Sequence, residues 1–371
     1  AIMDDSLVER FRERGCIVAK SVLSPDAVAA CREGLHADLL SLGIDHDAVE
    51  IAAGSAATGS IPAVSAAVQT ALRRAQSHQT GALPLPFSPW RLEHCATNAR
   101  LFALHQRLWR LYANPRSSDS AFVSPRAGTF DPASGKGWAL LDAVGYRIPS
   151  VVSSKAQRGL GMHLDLSPWQ PWHDFELKAD WRLQQDPEAH TGSPAAAAPT
   201  RTSWKFWRPI QCFIALTPGR FECCAGVHAA WDALLGAGET SMLRGVKPYR
   251  GRFYSLHPWT KRFAPRLEPY RTSIAFDAGD AVLWDSRTPH CVGERLPGAK
   301  TREVIYTAFL PPTFQNEEYG HEQARCLTRG VFPPSQAFGI SPIVRGGDVP
   351  GWVEGAEETL SPFARALIGY V

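Results

Sequence analysis

From Trp138 onward the chain is written in short β-type runs, and that pattern restricts the fold more than any other feature. Asp142 to Ile148, Gly159 to Asp165, Pro209 to Thr217, Arg252 to Leu256, Arg271 to Phe276, Asp280 to Trp284 and Arg302 to Leu310 are the candidates. Each is brief, rich in β-branched and aromatic residues, and bounded by Gly or Pro. Many short strands with turns between them predict a jelly roll or sandwich. The earlier chain reads differently. Asp5 to Arg14 predicts a short charged helix, followed by a brief strand, Gly15 to Ala19. Ser24-Pro25-Asp26 is a helix start, with an N-cap, a first-turn proline and an acid near the dipole. Val28, Cys31, Leu35, Leu39 and Leu42 then recur at spacings of three and four, and Gly43 is placed to end the helix. Asn98 to Tyr112 repeats this logic with Leu101, Leu104, Leu108 and Leu111. Helices first and strands later make an α+β arrangement around one β core.

The 371 residues suffice for one large domain or two small ones. One domain is expected: helical over about 1–137, a jelly-roll core over about 138–312 and a C-terminal extension over about 313–371. Ala52 to Ala67, rich in Ala, Gly and Ser, reads as a flexible surface segment. A net charge of +3 is too small to suggest nucleic acid or an anionic membrane as the main partner. No apolar run approaches the length of a membrane span, and no secretory signal is visible at the N-terminus. The eight cysteines form no C-x-x-C pair, so a zinc ribbon is not expected. Cys16, Cys31 and Cys212 sit in apolar segments as buried thiols, which fits a reducing, intracellular and cytoplasmic setting.

The chemistry begins at Gly161-Met162-His163-Leu164-Asp165. In a strand, alternate side chains share a face, so His163 and Asp165 point the same way. An imidazole beside a carboxylate is two thirds of a facial triad. His290, after Asp280-Ala281-Val282-Leu283-Trp284-Asp285, is the best third ligand. Two His and one carboxylate on one side of a metal leave the opposite positions open, which suits non-haem Fe(II) oxygenases. Arg302 opens the next strand, and its planar fork is what a dicarboxylate needs.

Four segments together resemble the phytanoyl-CoA dioxygenase-like family of Fe(II)/2-oxoglutarate oxygenases. They are Gly15 to Pro25, Gly161 to Asp165, Gln211 to Leu216 with the turn Gly226-Val227-His228, and Gly279 to His290 with Arg302. The resemblance implies a double-stranded β-helix core, cupin-like, with N-terminal and flanking helices packed on one side. It implies that His163, Asp165 and His290 bind iron, and that Arg302 binds the distal carboxylate of 2-oxoglutarate. The implied activity is oxidation, commonly hydroxylation, of a small organic substrate, with O2 consumed and succinate and CO2 released. Other readings are a catalytically silent binding module on the same barrel, and a jumonji-type protein hydroxylase. Where family members often carry a hydroxyl residue two positions after the distal His, this chain has Val292, so Tyr146 or Thr301 becomes the candidate to assist Arg302. Asp165 stands where halogenating relatives have a small residue, which disfavours halogenation.

Gln211 is expected to face inward as a cosubstrate or substrate contact. His228 reads as structural, and Arg287 as a scaffold partner of Asp285 or Glu294. His257 is either a strand-end histidine or a substrate contact. The long insertion Leu166 to Trp207 leaves the metal strand and returns just before Gln211. Trp169, Trp172, Trp204 and Trp207 at its ends are candidate walls of the substrate pocket, or anchors of the loop to the barrel.

Overall fold

The computed structural model describes residues 5–57, 64–75, 80–83, 85, 88–113, 130–150, 152, 157, 161–165, 173–176, 203–234, 254–255, 265–291, 300–328, 358 and 360–370. Helix α1 (Asp5–Arg14) and strand β1 (Cys16–Ala19) meet at Gly15. Gly15 has a φ of +68°, and a Cβ there would stand 2.4 Å from the His228 ring, so this turn requires glycine. Helix α2 (Pro25–Ser41) starts where the sequence predicts. Ser24 Oγ accepts from the Ala27 N–H at 3.2 Å, and Val28, Cys31, Leu35 and Leu39 are its buried stripe.

Helices α3 (His46–Ala57) and α4 (Ala66–Ala75) correct the two ends of the Ala52 to Ala67 segment that reads as flexible surface; residues 58–63 lie outside the described residues. Ala52 and Ala53 are buried with Val49. Alanine is the best helix former, and its small side chain lets a helix lie close to its neighbours, so low complexity here means packing. Strand β2 (Ala82–Leu83), the short helix α5 (Pro89–Arg91) and helix α6 (Ala99–Ala113) follow. Asn98 caps α6, its Oδ1 accepting from the Leu101 N–H at 2.9 Å.

The later strands are β3 (Trp138–Arg147), β4 (His163–Leu164), β5 (His173–Glu176), β6 (Ser203–Phe206), β7 (Ile210–Ala215) and β8 (Gly219–Cys224). Helix α7 (Val227–Leu234) precedes β9 (Tyr254–Ser255), β10 (Arg271–Phe276), β11 (Ala281–Asp285), β12 (His290–Cys291) and β13 (Arg302–Leu310). Helices α8 (Phe314–Thr328) and α9 (Pro362–Ile368) come last. Strand β8 (219–224) is absent from the strands that the sequence predicts. Its buried Phe221 and Cys223 alternate with Arg220 and Glu222, and those charges hide the strand pattern.

Among the described residues these strands form two larger antiparallel sheets and the pair β5-β6. One sheet runs β1-β11-β7-β13-β3-β2 and the other β10-β8-β12-β4-β9. Every residue of β3 is buried: Leu141, Val144 and Tyr146 join the helix-side core, while Trp138 and Leu140 pack with Phe206 and Tyr319. The larger core lies on the helix side, where Leu35, Leu108, Trp109, Tyr146, Ile214, Leu283 and Ile305 meet. The smaller core lies between the sheets and holds Cys16, Phe213, Phe221, Phe276, Trp284 and Val304. Cys16, Cys31 and Cys212 are buried free thiols, as expected. The mixture of helices and antiparallel sheet is α+β. No helix among the described residues is long and apolar enough to cross a membrane.

Candidate metal centre

Strand β4 is two residues long, yet its alternation sets the site. Leu164 turns into an apolar cluster with Cys224, Val227 and Trp231, so His163 and Asp165 turn the other way. Strand β12 lies between β4 and β8, and its register places His290 opposite both His163 and Cys223. The His163 and His290 rings stand 4.4 Å apart at 50°. Asp165 lies between them, with Oδ1 3.4 Å from His163 Nε2 and Oδ2 3.7 Å from His290 Nε2. His163, Asp165 and His290 thus offer three ligand atoms within 4.8 Å of one another.

Backbone carbonyls orient both imidazoles. His163 Nδ1 lies 2.8 Å from the Gly161 oxygen, and His290 Nδ1 lies 3.0 Å from the Thr288 oxygen. A proton held on each Nδ1 leaves each Nε2 lone pair aimed at the shared space, which is how second-shell bonds prepare metal-binding histidines. Burial first, then the neighbouring His163, pulls His290 down to about 4, so its ring is neutral near pH 7. Burial alone would raise Asp165, but the closeness of His163, then of His290, and the Arg208 charge hold it well below the usual carboxylate range. The set is a carboxylate and two imidazoles, of which that of His290 is neutral.

Aromatic rings lead from this centre to Arg302. Trp284 lies 5.0 Å from His290, Phe213 lies 5.9 Å from Trp284, and the Arg302 guanidinium stands 5.2 Å over Phe213 and 5.9 Å over Phe276. Arg302 is buried, and none of its three side-chain nitrogens has a hydrogen-bond partner. Gln211 Nε2 and Trp284 Nε1 are buried without a partner as well, and these two residues are opposite one another on β7 and β11. Buried polar groups are nearly always satisfied, so an interior furnished with unmatched donors calls for an acceptor-rich ligand.

Asp142 and Arg208 escaped the sequence reading. Arg208 Nη1 lies 3.4 Å from Asp142 Oδ2, and the Arg208 charge reaches both Asp165 and His290. A carboxylate inside the apolar run Trp138 to Val144 was the available signal.

Other expected residues fall elsewhere. Tyr146 does not face Arg302: it sits in the helix-side core, and its hydroxyl lies 3.1 Å from His46 Nδ1. Thr301 also turns away, its Oγ1 donating to Glu303 Oε1 at 3.1 Å. Strand alternation is the reason, because residues flanking an inward arginine face outward. Arg287 is committed to Asp285, with contacts of 2.8 and 2.6 Å. His228 is structural, its Nε2 lying 3.1 Å from the Arg12 carbonyl. Trp207 is 3% exposed and packs on Tyr112 and Phe130, so it anchors the returning insertion to α6. Trp204 lies on β6 opposite Phe175 of β5. Trp169, Trp172, His257, Val292 and Glu294 lie outside the described residues.

A second group, His36, His46 and Glu303, also offers ligand atoms within 4.8 Å. It lies on the outer face of β13. Glu303 takes Arg32 Nε at 2.9 Å and His36 Nε2 at 3.1 Å, and the two imidazoles stack at 3.6 Å and 17°.

No family model and no curated protein matches the chain. Solved structures do. A protein of Salmonella typhimurium LT2, provisionally named an oxidoreductase, aligns at TM-score 0.59 and 17% identity over 99% of this chain and 83% of that one. The hypothetical protein JW0805 of Escherichia coli aligns at 0.58 and 18%, over 99% and 81%. GlcNAc Inducible Gene 2 of Candida albicans (DUF1479) aligns at 0.54 and 14%, over 98% and 75%. At these identities the likeness is one of fold.

Proposed function

We propose that this chain is an Fe(II)- and 2-oxoglutarate-dependent oxygenase that oxidises a small organic substrate with O2, on one domain built around a double-stranded β-helix. The observation that carries the reading is the His163–Asp165–His290 set, with both Nδ1 atoms tied back to carbonyls and both Nε2 atoms turned to one carboxylate. Strand order supports the fold assignment: β3, β7, β11 and β13 belong to one sheet, while β4, β8, β10 and β12, interleaved with them along the chain save that β8 and β10 follow one another, belong to the other. This supports the resemblance to the phytanoyl-CoA dioxygenase-like family.

The residues present fit both groups. Two imidazoles and a carboxylate suit Fe(II), and the unmatched fork of Arg302 suits the far carboxylate of 2-oxoglutarate. Bound iron would supply the redox chemistry that couples loss of CO2 from 2-oxoglutarate to substrate oxidation. The chain's own part is positional. The Gly161 and Thr288 carbonyls hold the imidazoles in place, Arg302 anchors the cosubstrate's far end, and Gln211 offers a donor on the same interior face. Phe213, Phe221, Phe276 and Trp284 exclude water between these points. The test is release of CO2 from 2-oxoglutarate with Fe(II) and O2, with no substrate added. Slow uncoupled release is expected in the wild type, with none in His290→Ala. Equal release from both would overturn the assignment.

A further inference from the structure

Two cysteines 207 residues apart in the chain meet on the inner face beside the metal centre. Cys16 Sγ lies 3.3 Å from Cys223 Sγ, and both residues are buried, at 2% and 0% exposed. Register explains the meeting. Cys16 on β1 pairs with Trp284 on β11, and Cys223 on β8 pairs with His290 on β12. Paired residues in an antiparallel ladder project on the same side, with Cβ atoms about 4.5–5.5 Å apart. Trp284 and His290 themselves meet between the two sheets, their ring centres 5.0 Å apart. The thiols stand next to that contact, Cys16 from one sheet and Cys223 from the other, within the smaller core.

A thiol is a weak donor and a weak acceptor, so this contact holds the pair loosely. A disulfide sets its sulfurs about 2.05 Å apart, so the two need to approach by about 1.3 Å. Alternation makes the pairing selective. Cys224, next in the chain, turns to the opposite apolar cluster with Leu164 and Trp231. Cys31, Cys95 and Cys212 lie in the helix-side core. Solvent is close as well. The Asp165 side chain, just after β4, is 17% exposed, and only β12 lies between β4 and β8. A water-sized reagent at Asp165 is therefore one strand away from Cys223. Burial of both sulfurs disfavours a bulky reagent, which needs a larger local opening of the chain.

We propose that Cys16 and Cys223 form a modification site, a dithiol that a peroxide converts into a disulfide joining the two sheets beside the metal centre. With hydrogen peroxide, one sulfur attacks a peroxide oxygen and the O–O bond breaks. The other oxygen leaves as hydroxide and takes up the thiol proton, giving water and a sulfenic acid. The second sulfur then attacks the first, the S–O bond breaks, and a second water leaves with the remaining thiol proton. Two thiols lose two electrons, and one hydrogen peroxide is reduced to two waters. The second step needs no opening of the fold, because the sulfurs are already in contact. The product ties β1, at the edge of the larger sheet, to β8, against which β12 and His290 are paired. Neither iron nor 2-oxoglutarate takes part, so the site stands or falls apart from the proposed function.

The experiment treats the full-length native protein with hydrogen peroxide in the presence of a chelator. Remaining thiols are then alkylated during unfolding, and the cysteines are mapped by mass spectrometry without reduction. In the wild type a peptide linked through Cys16 and Cys223 is expected, with two of the eight thiols lost and Cys31, Cys95 and Cys212 still alkylated. Closing so long a loop should raise the melting temperature by about 5 °C, and dithiothreitol should reverse the rise. Cys16→Ala and Cys223→Ala should each lose the bridge and the rise. Should either variant not fold, the linked peptide of the wild type carries the test by itself. If Cys16 and Cys223 both stay alkylated under conditions that oxidise the unfolded chain, the proposal falls. A bridge from Cys223 to Cys224, or sulfinic acid at either position without a bridge, would overturn it as well. So would a Cys16–Cys223 bridge that leaves the melting temperature where it was, since the sheets would not then be tied. Oxidised glutathione at the same concentration should leave both thiols free, and a bridge formed equally fast with it would overturn the choice of a peroxide.

Discussion

Two His–His–carboxylate groups of nearly equal compactness stand among the described residues, and they are built differently. At His163–Asp165–His290 each Nδ1 is tied to a carbonyl, each Nε2 faces the carboxylate, and the rings meet at 50°. Lone pairs on tilted rings converge on one point. At His36–His46–Glu303 the rings are nearly parallel at 17°, so their in-plane lone pairs do not converge on one ion. There the carboxylate is already used: Arg32 binds Oε2, while Thr301 and His36 meet Oε1. His46 Nδ1 also meets the Tyr146 hydroxyl. The second group is a polar knot that joins α2 and α3 to β13. Residue type does not make a metal centre; the bonds to the far side of each ligand do.

The sharpest way to break the comparison is to delete one histidine from each group. His163→Ala or His290→Ala should cost about a hundredfold or more in uncoupled 2-oxoglutarate turnover and lose stoichiometric Fe(II). His36→Ala should keep one bound Fe(II), measured by metal analysis after desalting. Iron loss in His36→Ala alone would reverse the two assignments.

Arg302 and Glu303 are adjacent on β13 but serve opposite faces, so their variants should separate cleanly. Arg302→Ala is expected to weaken 2-oxoglutarate binding about tenfold to a hundredfold, with melting temperature little lowered, since the fork has no protein partner to lose. Arg302→Lys, which keeps charge without the fork, should fall between.

Glu303→Gln should do the reverse. Burial would raise this carboxyl, but the His36 and Arg32 hydrogen bonds outweigh it and lower it from 4.5 to about 2. A carboxyl depressed in the folded state stabilises above its unfolded value and loses that contribution as pH falls through its folded one. The wild type should therefore lose stability between about pH 4.5 and 2, and Glu303→Gln should flatten that limb. At neutral pH the variant should be less stable by about 3 kcal/mol, at roughly 1.4 kcal/mol per pH unit, with 2-oxoglutarate affinity unchanged. A denaturant series across pH measures both.

The smallest effect is expected at Tyr146→Phe. Loss of the hydroxyl that meets His46 should cost about 1 kcal/mol and leave the 2-oxoglutarate requirement as it was. A raised requirement would return Tyr146 to the cosubstrate site.

Local rules carried much of this architecture into the sequence. A capped, striped segment such as Pro25–Ser41 forms its helix wherever it stands, because Ser24 and the spacing of Val28, Cys31, Leu35 and Leu39 act within a few residues. Arg271–Phe276 and Arg302–Leu310 were legible as strands for the same reason. So was the pairing of His163 with Asp165, since alternation needs only neighbours along the strand. Composition misled where tertiary contact overrode it, at the alanine-rich α3 and at β8, whose charges lie on its outer side. Only the tertiary structure decided that His290 sits in register with His163, that Tyr146 and Thr301 turn to the helices, and that Arg147 stands beside Arg302. Those facts depend on which strands pair and in what register. Register is set by cores on both faces of the sheet at once, and a one-residue slip would exchange every inward side chain for an outward one.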